Sequence, residues 1–455
     1  MIIRTLLLVL LLSLPGLSRD PNVIIIMTDD QGYNDLGCYA SKTIRTPKLD
    51  ALAATGLRLT NFVTPSSVCT PSRAGLLTGC YPKRVGLHRH VLFPKDTYGL
   101  HPDEVTIADH LKAHGYATSC IGKWHLGHTP ELLPRAHGFD AYYGIPYSND
   151  MNHPNNANKT TLRRDASWVD QKKAVALWNT PLIRDEEIIE IPVDQRTISR
   201  RYTDEAIQFI KSNRDKPFFL YLPHSMPHVP LFVPDDAYDA DPMNAYKCVI
   251  EHLDTETGRI TDTLKELGLE KDTIVIYTSD NGPWLPFKNH GGSAKPLRNG
   301  KSSTFEGGHR VPCLISWPGK IPAGKSSDEP LSSIDLLPTL ATLIGHPFKP
   351  ERNIDGLDAS KTLTDGAKSP RQELLYYAPG GQLDGIRVGN WKLLLRGRRK
   401  GEVRPMLFDL GKDLSEANDL AATNTERVEA LKKRMTELDA EIEANARPVG
   451  GKRNR

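Results

Sequence analysis

The chain has 455 residues, with 58 Lys and Arg against 55 Asp and Glu, a formal net charge of +3, 39% hydrophobic and 7% aromatic residues. That balance excludes a disordered or broadly nucleic-acid-binding polypeptide, and the length excludes a small disulfide-stapled module. Six cysteines (Cys38, Cys69, Cys80, Cys120, Cys248 and Cys313) are too sparse and too far apart for a disulfide framework.

At the N-terminus one positive charge at Arg4 precedes an apolar run over residues 5–14 and the small residues Gly16 and Ser18. This predicts a signal peptide over residues 1–18, because the run falls short of the ~20 apolar residues that a membrane span needs. The mature chain is expected to be exported, to a periplasm or the extracellular space, or to a lysosome in a eukaryote, without stable membrane insertion. In a eukaryote, Asn158-Lys159-Thr160 is also a glycosylation acceptor sequence.

Asn22–Thr28 (NVIIIMT) is a short continuous apolar run, as in a strand buried on both faces of a parallel sheet, and it ends in Asp29-Asp30. Residues 217–222 (PFFLYL) end in a segment containing His224 and His228, and residues 273–278 (TIVIYT) end in Ser279-Asp280-Asn281-Gly282. Helical periodicity is expected at 46–55, 104–114, 197–212 and 245–267. Residues 146–196 crowd Asn149, Asn152, Asn155, Asn156 and Asn158 without periodicity, which suits either an insertion over the active face or a tolerated surface loop. A helix at 334–344 leads to a turn-rich connector, short strands at 372–377, 385–388, 391–395 and 406–409, and a charged helix at 425–444.

Alternation of strands and helices, with polar groups at the carboxyl ends of the strands, predicts an α/β fold whose ligands bind outside those ends. The expected architecture is a large, mostly parallel mixed sheet sandwiched by helices. A catalytic domain is expected over 19–345 and a smaller C-terminal α+β subdomain over 346–455.

The segment Cys69-Thr70-Pro71-Ser72-Arg73, continuing through Leu77-Thr78-Gly79, carries the most chemistry. Pro71 suits the first turn of a helix, which would put Cys69 at an N-terminus favouring anions, with the Arg73 guanidinium nearby. A cysteine so placed is electrostatically tuned and points to a reactive role. Alone, Asp29-Asp30 would read as a helix cap and Asp280-Asn281-Gly282 as a turn; five such loops in one chain argue for a joint site.

This cysteine motif resembles the signature of the type I, formylglycine-dependent sulfatases, which include arylsulfatases and carbohydrate sulfatases of the alkaline phosphatase-like superfamily. The similarity extends to 22–30, to Gly122-Lys123-Trp124-His125-Leu126-Gly127, to Pro227-His228, to Ser279-Asp280-Asn281-Gly282, and to Gly300-Lys301 through Phe305-Glu306-Gly307-Gly308. It continues in Trp391-Lys392-Leu393 and Leu407-Phe408-Asp409-Leu410. Cys80 departs from it, standing where the family commonly has a basic residue.

The resemblance implies that a maturation enzyme converts Cys69 to formylglycine, whose hydrate attacks sulfur to give a sulfo-enzyme and then expels sulfate. It implies one Ca²⁺, with Mg²⁺ as the alternative, on Asp29, Asp30, Asp280, Asn281 and residue 69. Arg73 and Lys123 would hold residue 69, and His125 would be the base for sulfate elimination. His228 and Lys301 would contact the sulfate oxygens and assist the leaving alcohol, with Ser148 in the sulfate pocket.

The expected substrate is a sulfated sugar in preference to a simple aryl sulfate, with nucleic acid excluded as a partner. A phosphodiester or phosphonate monoester hydrolase is the rival chemistry, and a non-catalytic glycan-binding protein the rival of another class. His224 is read as a pocket residue at best; His88, His90 and His309 have no assigned role, and His290 and Arg298 are read as a solvated loop within reach of substrate. Arg396, Arg398, Arg399, Lys400 and Arg404, with Lys452, Arg453 and Arg455, form a basic stretch read as a solvated hairpin and frayed terminus or as an attractor for polyanionic glycans.

Overall fold

In a computed structural model, residues 19–152, 168, 171–349, 351–397 and 403–452 are described. The signal segment, the Asn158 acceptor, Arg398, Arg399, Lys400, Arg453 and Arg455 lie outside them.

Asn22–Thr28 is buried at every position because it is the middle of a ten-stranded sheet. From edge to edge the order is Lys325–Ser327, Leu57–Leu59, Cys313–Ser316, Thr273–Ser279, Asn22–Thr28, Phe218–Pro223, Ala117–Ile121, Ala141–Gly144, Leu182–Arg184 and Glu187–Glu190. The run from Thr273–Ser279 to Ala141–Gly144 is parallel, with Ile24 level with Leu220 and Val275. On one flank Cys313–Ser316 is antiparallel to both its neighbours and the edge pair Leu57–Leu59 with Lys325–Ser327 is parallel; on the other, an antiparallel hairpin closes the sheet.

Side chains of a strand alternate between faces, and the core divides accordingly. Ile24 and Ile26 pack with Leu49 and Leu52 of Pro47–Thr55, Tyr202 and Ile210 of Ile198–Ser212, and Ile250 and Leu253 of Ala245–Glu266. Val23, Ile25 and Met27 face Ala74 and Leu77 of Cys69–Thr78, Leu111 of Ile107–Ala113, and Leu337 and Leu340 of Leu336–Leu343. The sheet is thus sandwiched by helices, as the sequence predicts.

The helix expected at 104–114 starts later, at Ile107, because Thr106 and Asp109 form a reciprocal capping box. Part of the Asn-rich region is regular. Leu182–Arg184 and Glu187–Glu190 form a hairpin that extends the sheet, its turn made by Asp185 at φ 57°. Leu182 and Ile183 are buried there, whereas Ile188 and Ile189 face outward, so the alternation is weak and the hairpin is hard to read from sequence.

The C-terminal strands Glu373–Tyr377, Leu383–Val388, Trp391–Arg396 and Arg404–Asp409 form a four-stranded antiparallel sheet in chain order. Thr425–Ala444 covers it through Val428, Leu431 and Met435. This small sheet is stitched to the main domain: Arg84 bridges Asp355 at 2.6 Å and Glu441 at 2.7 Å, and Gly450–Gly451 pairs with Tyr98–Gly99. All six cysteines are free. No helix among the described residues is long and apolar enough to cross a membrane.

Candidate active site

All five parallel strands deliver side chains to one point outside their carboxyl ends. Asp29 and Asp30 follow Asn22–Thr28, Asp280 and Asn281 follow Thr273–Ser279, and His228 follows Phe218–Pro223. Lys123 follows Ala117–Ile121, and Ser148 follows Ala141–Gly144. Backbone bonds continue past the strands and lock these loops together: Asp280 N–H donates to the Thr28 carbonyl at 3.1 Å, Asp29 N–H to Met226 at 3.1 Å, and Lys123 N–H to Pro223 at 2.7 Å. Gly122 permits that last approach, since it sits at φ 135° and a Cβ there would lie 1.9 Å from the Pro223 carbonyl oxygen.

Cys69 is the first residue of the helix Cys69–Thr78, as its motif predicts, and the thiol donates to Asp29 Oδ1 at 3.4 Å. Lys123 Nζ donates to Asp29 Oδ2 and reaches Ser148 Oγ at 3.2 Å. Arg73, fully buried, clamps Asp280 through Nε at 2.9 Å and Nη2 at 2.8 Å, with Nη2 3.5 Å from Asp29 and Nη1 on the Lys123 carbonyl at 2.7 Å. Lys301 Nζ lies 2.7 Å from Asp30 Oδ2 and 3.5 Å from Cys69 Sγ.

Asp30, in the left-handed region at φ 64°, accepts a 2.7 Å bond from Asn281 Nδ2 and has His228 Nε2 3.6 Å away. His228 Nδ1 donates to the Val229 carbonyl at 2.6 Å, which turns Nε2 toward the site. Asn149, which the sequence reading placed in the Asn-rich stretch without a role of its own, pins this loop by donating to the His228 and Pro230 carbonyls at 3.3 and 3.0 Å.

His125 stands one step back. Its Nε2 lies 2.9 Å from the Leu92 carbonyl and its buried Nδ1 has no partner, which leaves Nδ1 as the free lone pair. Thr70, the residue after Cys69, holds His125 in place by donating to its carbonyl at 2.8 Å and accepting from Leu92 N–H at 3.1 Å. The sequence reading passed over Thr70, although it lies inside the cysteine motif.

Three carboxylates and three cations share this floor, and burial alone would drive all of them toward neutrality. Burial opposes ionisation of Asp29, but the cations Lys123, Arg73 and Lys301 outweigh it and hold the carboxyl below the usual range. Burial, joined by Asp29 and Asp280 against the pull of Lys301, pushes Asp30 up to about 7. Burial also lowers His125 and His228 well below the ordinary imidazole value, aided in each by Lys123, so both stay neutral.

The tuning of Cys69 runs opposite to what a helix N-terminus predicts. Burial first and Asp29 second push the thiol well above its ordinary value, so Cys69 is not a thiolate nucleophile in this setting.

Asp29, Asp30 and Asp280 supply carboxylate oxygens, and the buried Asn281 Oδ1 has no donor. An orphaned carbonyl oxygen beside three carboxylates fits a hard divalent cation. Ligand atoms of Asp29, Asp30, Cys69 and His228 lie within 4.8 Å of one another, so His228 joins the group that the sequence reading had confined to Asp29, Asp30, Cys69, Asp280 and Asn281.

Other expectations change. His290 is buried, with Nε2 3.0 Å from the Pro242 carbonyl, and Arg298 is tied to the Glu416 carbonyl at 2.7 Å and lies over the Phe305 ring, so neither is a solvated substrate arm. Arg396 pairs with Asp384 at 3.1 Å and covers Phe305, unlike a solvated hairpin residue. His309 is buried with Nδ1 2.9 Å from the Thr64 carbonyl, and His224 is buried with Nδ1 unpaired.

Residues 21–346 match the family model described as Sulfatase. The chain is 38% identical to human arylsulfatase A over 97% of its own length and 92% of that protein. Among solved structures, Ps i-CgsB in complex with k-i-k-neocarrahexaose superposes with a TM-score of 0.79 at 28% identity, covering 94% of each chain. The PsFucS1 sulfatase from Pseudoalteromonas sp. gives 0.80 at 27% identity, covering 95% of this chain and 92% of that one.

Proposed function

The chain belongs to the sulfatase family and hydrolyses sulfuric esters, and from that premise we propose that it is an exported, calcium-dependent sulfatase that acts on a sulfated carbohydrate through a formylglycine at position 69. One observation carries the reading: Cys69 Sγ sits between Asp29 at 3.4 Å and Lys301 at 3.5 Å, on a floor where Arg73 and Lys123 are fully buried. Formylglycine would supply paired hydroxyls, one to attack sulfur and one to drive its release, and Ca²⁺ would supply charge toward the sulfate oxygens.

The chain's own residues do the remaining work. Asp29 is held ionised and faces Sγ, so a hydroxyl at that place can pass its proton to the Asp29 carboxylate. Arg73 fixes Asp280 with two bonds and thereby sets one wall of the oxygen donor set. Lys301, 3.5 Å from Sγ, and Lys123, held by Asp29 and Ser148, balance the charge that develops on the sulfate oxygens. Lys301, kept protonated beside Asp30, gives a proton to the departing alcohol, while neutral His228 presents its Nε2 lone pair to the site. His125, neutral and with Nδ1 free, takes the proton of the second hydroxyl.

Support for a carbohydrate substrate comes from the structural neighbour Ps i-CgsB, which is in complex with k-i-k-neocarrahexaose. Export rests on the signal pattern at 1–18. Peptide mass analysis of the Cys69 segment from the native host tests the reading: an aldehyde at 69 is expected, and an unmodified thiol overturns the mechanism. Matched aryl sulfate and aryl phosphate esters supply the second measurement. Faster sulfate release is expected, and a wide preference for phosphate would make the chain a phosphoryl hydrolase.

A further inference from the structure

Lys301 and His228, the two groups placed on the sulfate and its leaving oxygen, share a neighbour that the proposed mechanism does not use. Lys301 Nζ lies 4.3 Å from the centre of the Trp284 ring, and the His228 ring lies 5.2 Å from it. Phe287 packs edge-on against the indole at 4.6 Å, and Leu285 beside it is exposed. Trp284 is itself half-buried.

The segment that carries Trp284 is held in place. Lys301 N–H donates to the Pro283 carbonyl at 2.9 Å, and Gly282 N–H donates to Gly308 at 3.0 Å. Gly300 allows the first contact, because a Cβ there would sit 2.2 Å from the Pro283 oxygen. A rigid half-buried aromatic face beside two groups that hold an anion is a surface for something flat and apolar. Trp284 thus stands next to both groups placed on the sulfate and its leaving oxygen, within reach of the carbon skeleton attached to that oxygen.

We propose that Trp284 is a specificity-determining residue: its indole is the platform on which the ring of the leaving alcohol stacks, so that the site selects sulfate esters of ring-bearing alcohols over flexible alkyl sulfates. A pyranose presenting its C–H face and an aryl ring offer the same chemistry to an indole. The inference rests on the sulfatase reading above and adds the shape of the alcohol.

The test uses full-length protein whose position 69 has been verified by peptide mass. Michaelis constants for para-nitrophenyl sulfate are measured for wild type, W284A and W284F, together with the inhibition constants of galactose 6-sulfate and ethyl sulfate as competitors. Stacking contributes about a tenfold preference. W284A should therefore lose about tenfold in affinity for para-nitrophenyl sulfate or galactose 6-sulfate relative to ethyl sulfate, and W284F should recover most of it.

Loss confined to the aryl ester assigns the platform to aryl rings, and loss confined to the sugar ester assigns it to pyranoses. An equal loss for all three overturns the proposal, because Trp284 then acts only through Lys301 and His228. No loss for any of them overturns it as well. Failure of the underlying sulfatase reading shows separately, as wild type that carries the aldehyde yet neither hydrolyses para-nitrophenyl sulfate nor binds the other two esters.

Discussion

Two clusters of buried charge lie on either side of the segment that carries Lys301. On the active-site side, Asp29, Asp30, Asp280, Arg73, Lys123 and Lys301 surround Cys69, and Asn281 Oδ1 and His125 Nδ1 are left without partners. On the other side, where the small sheet docks, Lys392 Nζ bridges Glu306 at 2.8 Å and Glu416 at 2.9 Å. Its ammonium also lies 4.2 Å from the Tyr376 ring centre, and Arg387 and Arg310 stand within 4.0 Å of Glu306. Burial opposes ionisation of Glu306, but Lys392, Arg310 and Arg387 outweigh it and hold the carboxyl below the usual range.

Both clusters bear the desolvation cost of buried charge, and they differ in what faces them. The floor around Cys69 leaves Asn281 Oδ1 and His125 Nδ1 unpaired, atoms that the proposed function uses for a cation and a proton, whereas the unpaired His309 Nε2 of the other cluster has no such use. The cluster around Lys392 is enclosed by protein and fixes the small sheet against Phe305 and Glu306, a few residues past Lys301. The contrast predicts that damage to the first removes activity with little loss of stability, while damage to the second removes stability.

The largest expected effect is on the nucleophile. C69S should lower kcat by about 10³-fold or more, because serine has no second hydroxyl with which to release sulfate, while urea unfolding shifts by no more than about 1 kcal/mol. A large stability loss in C69S would erase the contrast.

K392M should behave in the reverse way. Two buried carboxylates lose their shared ammonium, and breaking a buried ion pair costs about 3–5 kcal/mol, to be read from the urea midpoint at constant slope. An unchanged midpoint would show that the docking cluster carries no stability.

A smaller effect is expected at Asn281, whose Oδ1 is the orphan of the floor. N281A should weaken calcium affinity by about 10- to 100-fold, measured by titrating Ca²⁺ into chelator-treated enzyme, with little change in the apo-protein's melting temperature. Equal calcium affinity in the two proteins would remove Asn281 from the ligand set.

The smallest effect separates the regions by pH. Burial, with Lys392 adding to it, lowers His309 to about 4, and its ring meets Tyr376 edge-on at 4.9 Å in the docking region. An unfolded histidine takes up a proton near pH 6.5, while the folded one waits until about 4. Between those values the unfolded state binds more protons, so stability falls as the pH drops through that window and levels off below it. H309N keeps a donor for Thr64 and should flatten this slope by about 1–2 kcal/mol at pH 5, measured by denaturant unfolding at pH 5 and pH 7. An unaltered slope would mean that His309 is not the group responsible.

Much of this molecule is legible along the chain. The apolar runs ending in Asp29-Asp30, His228 and Asp280-Asn281 read as strands because each is buried on both faces and needs no partner to be recognised. Ala245–Glu266 and Thr425–Ala444 read as helices from periodicity alone. Ala117–Ile121 (ATSCI) and Ala141–Gly144 (AYYG) escaped that reading, being short and compositionally mixed; they are strands because the sheet's hydrogen bonds complete them.

Residue types near Cys69, and the chemistry they suit, are properties of the sequence by itself, since a motif carries its functional groups wherever the chain goes. Tertiary structure alone decided which atoms are spent and which are free. Arg73 and Asp280 are 207 residues apart, and Lys301 and Asp30 are separated by 271. Whether such groups pair depends on strand order, not on local pattern. The same packing raised the Cys69 thiol against the helix terminus, turned His290 and Arg298 inward, and set Trp284 over Lys301. Burial and long-range pairing set these energies, and neither exists until the sheet has brought the loop ends together.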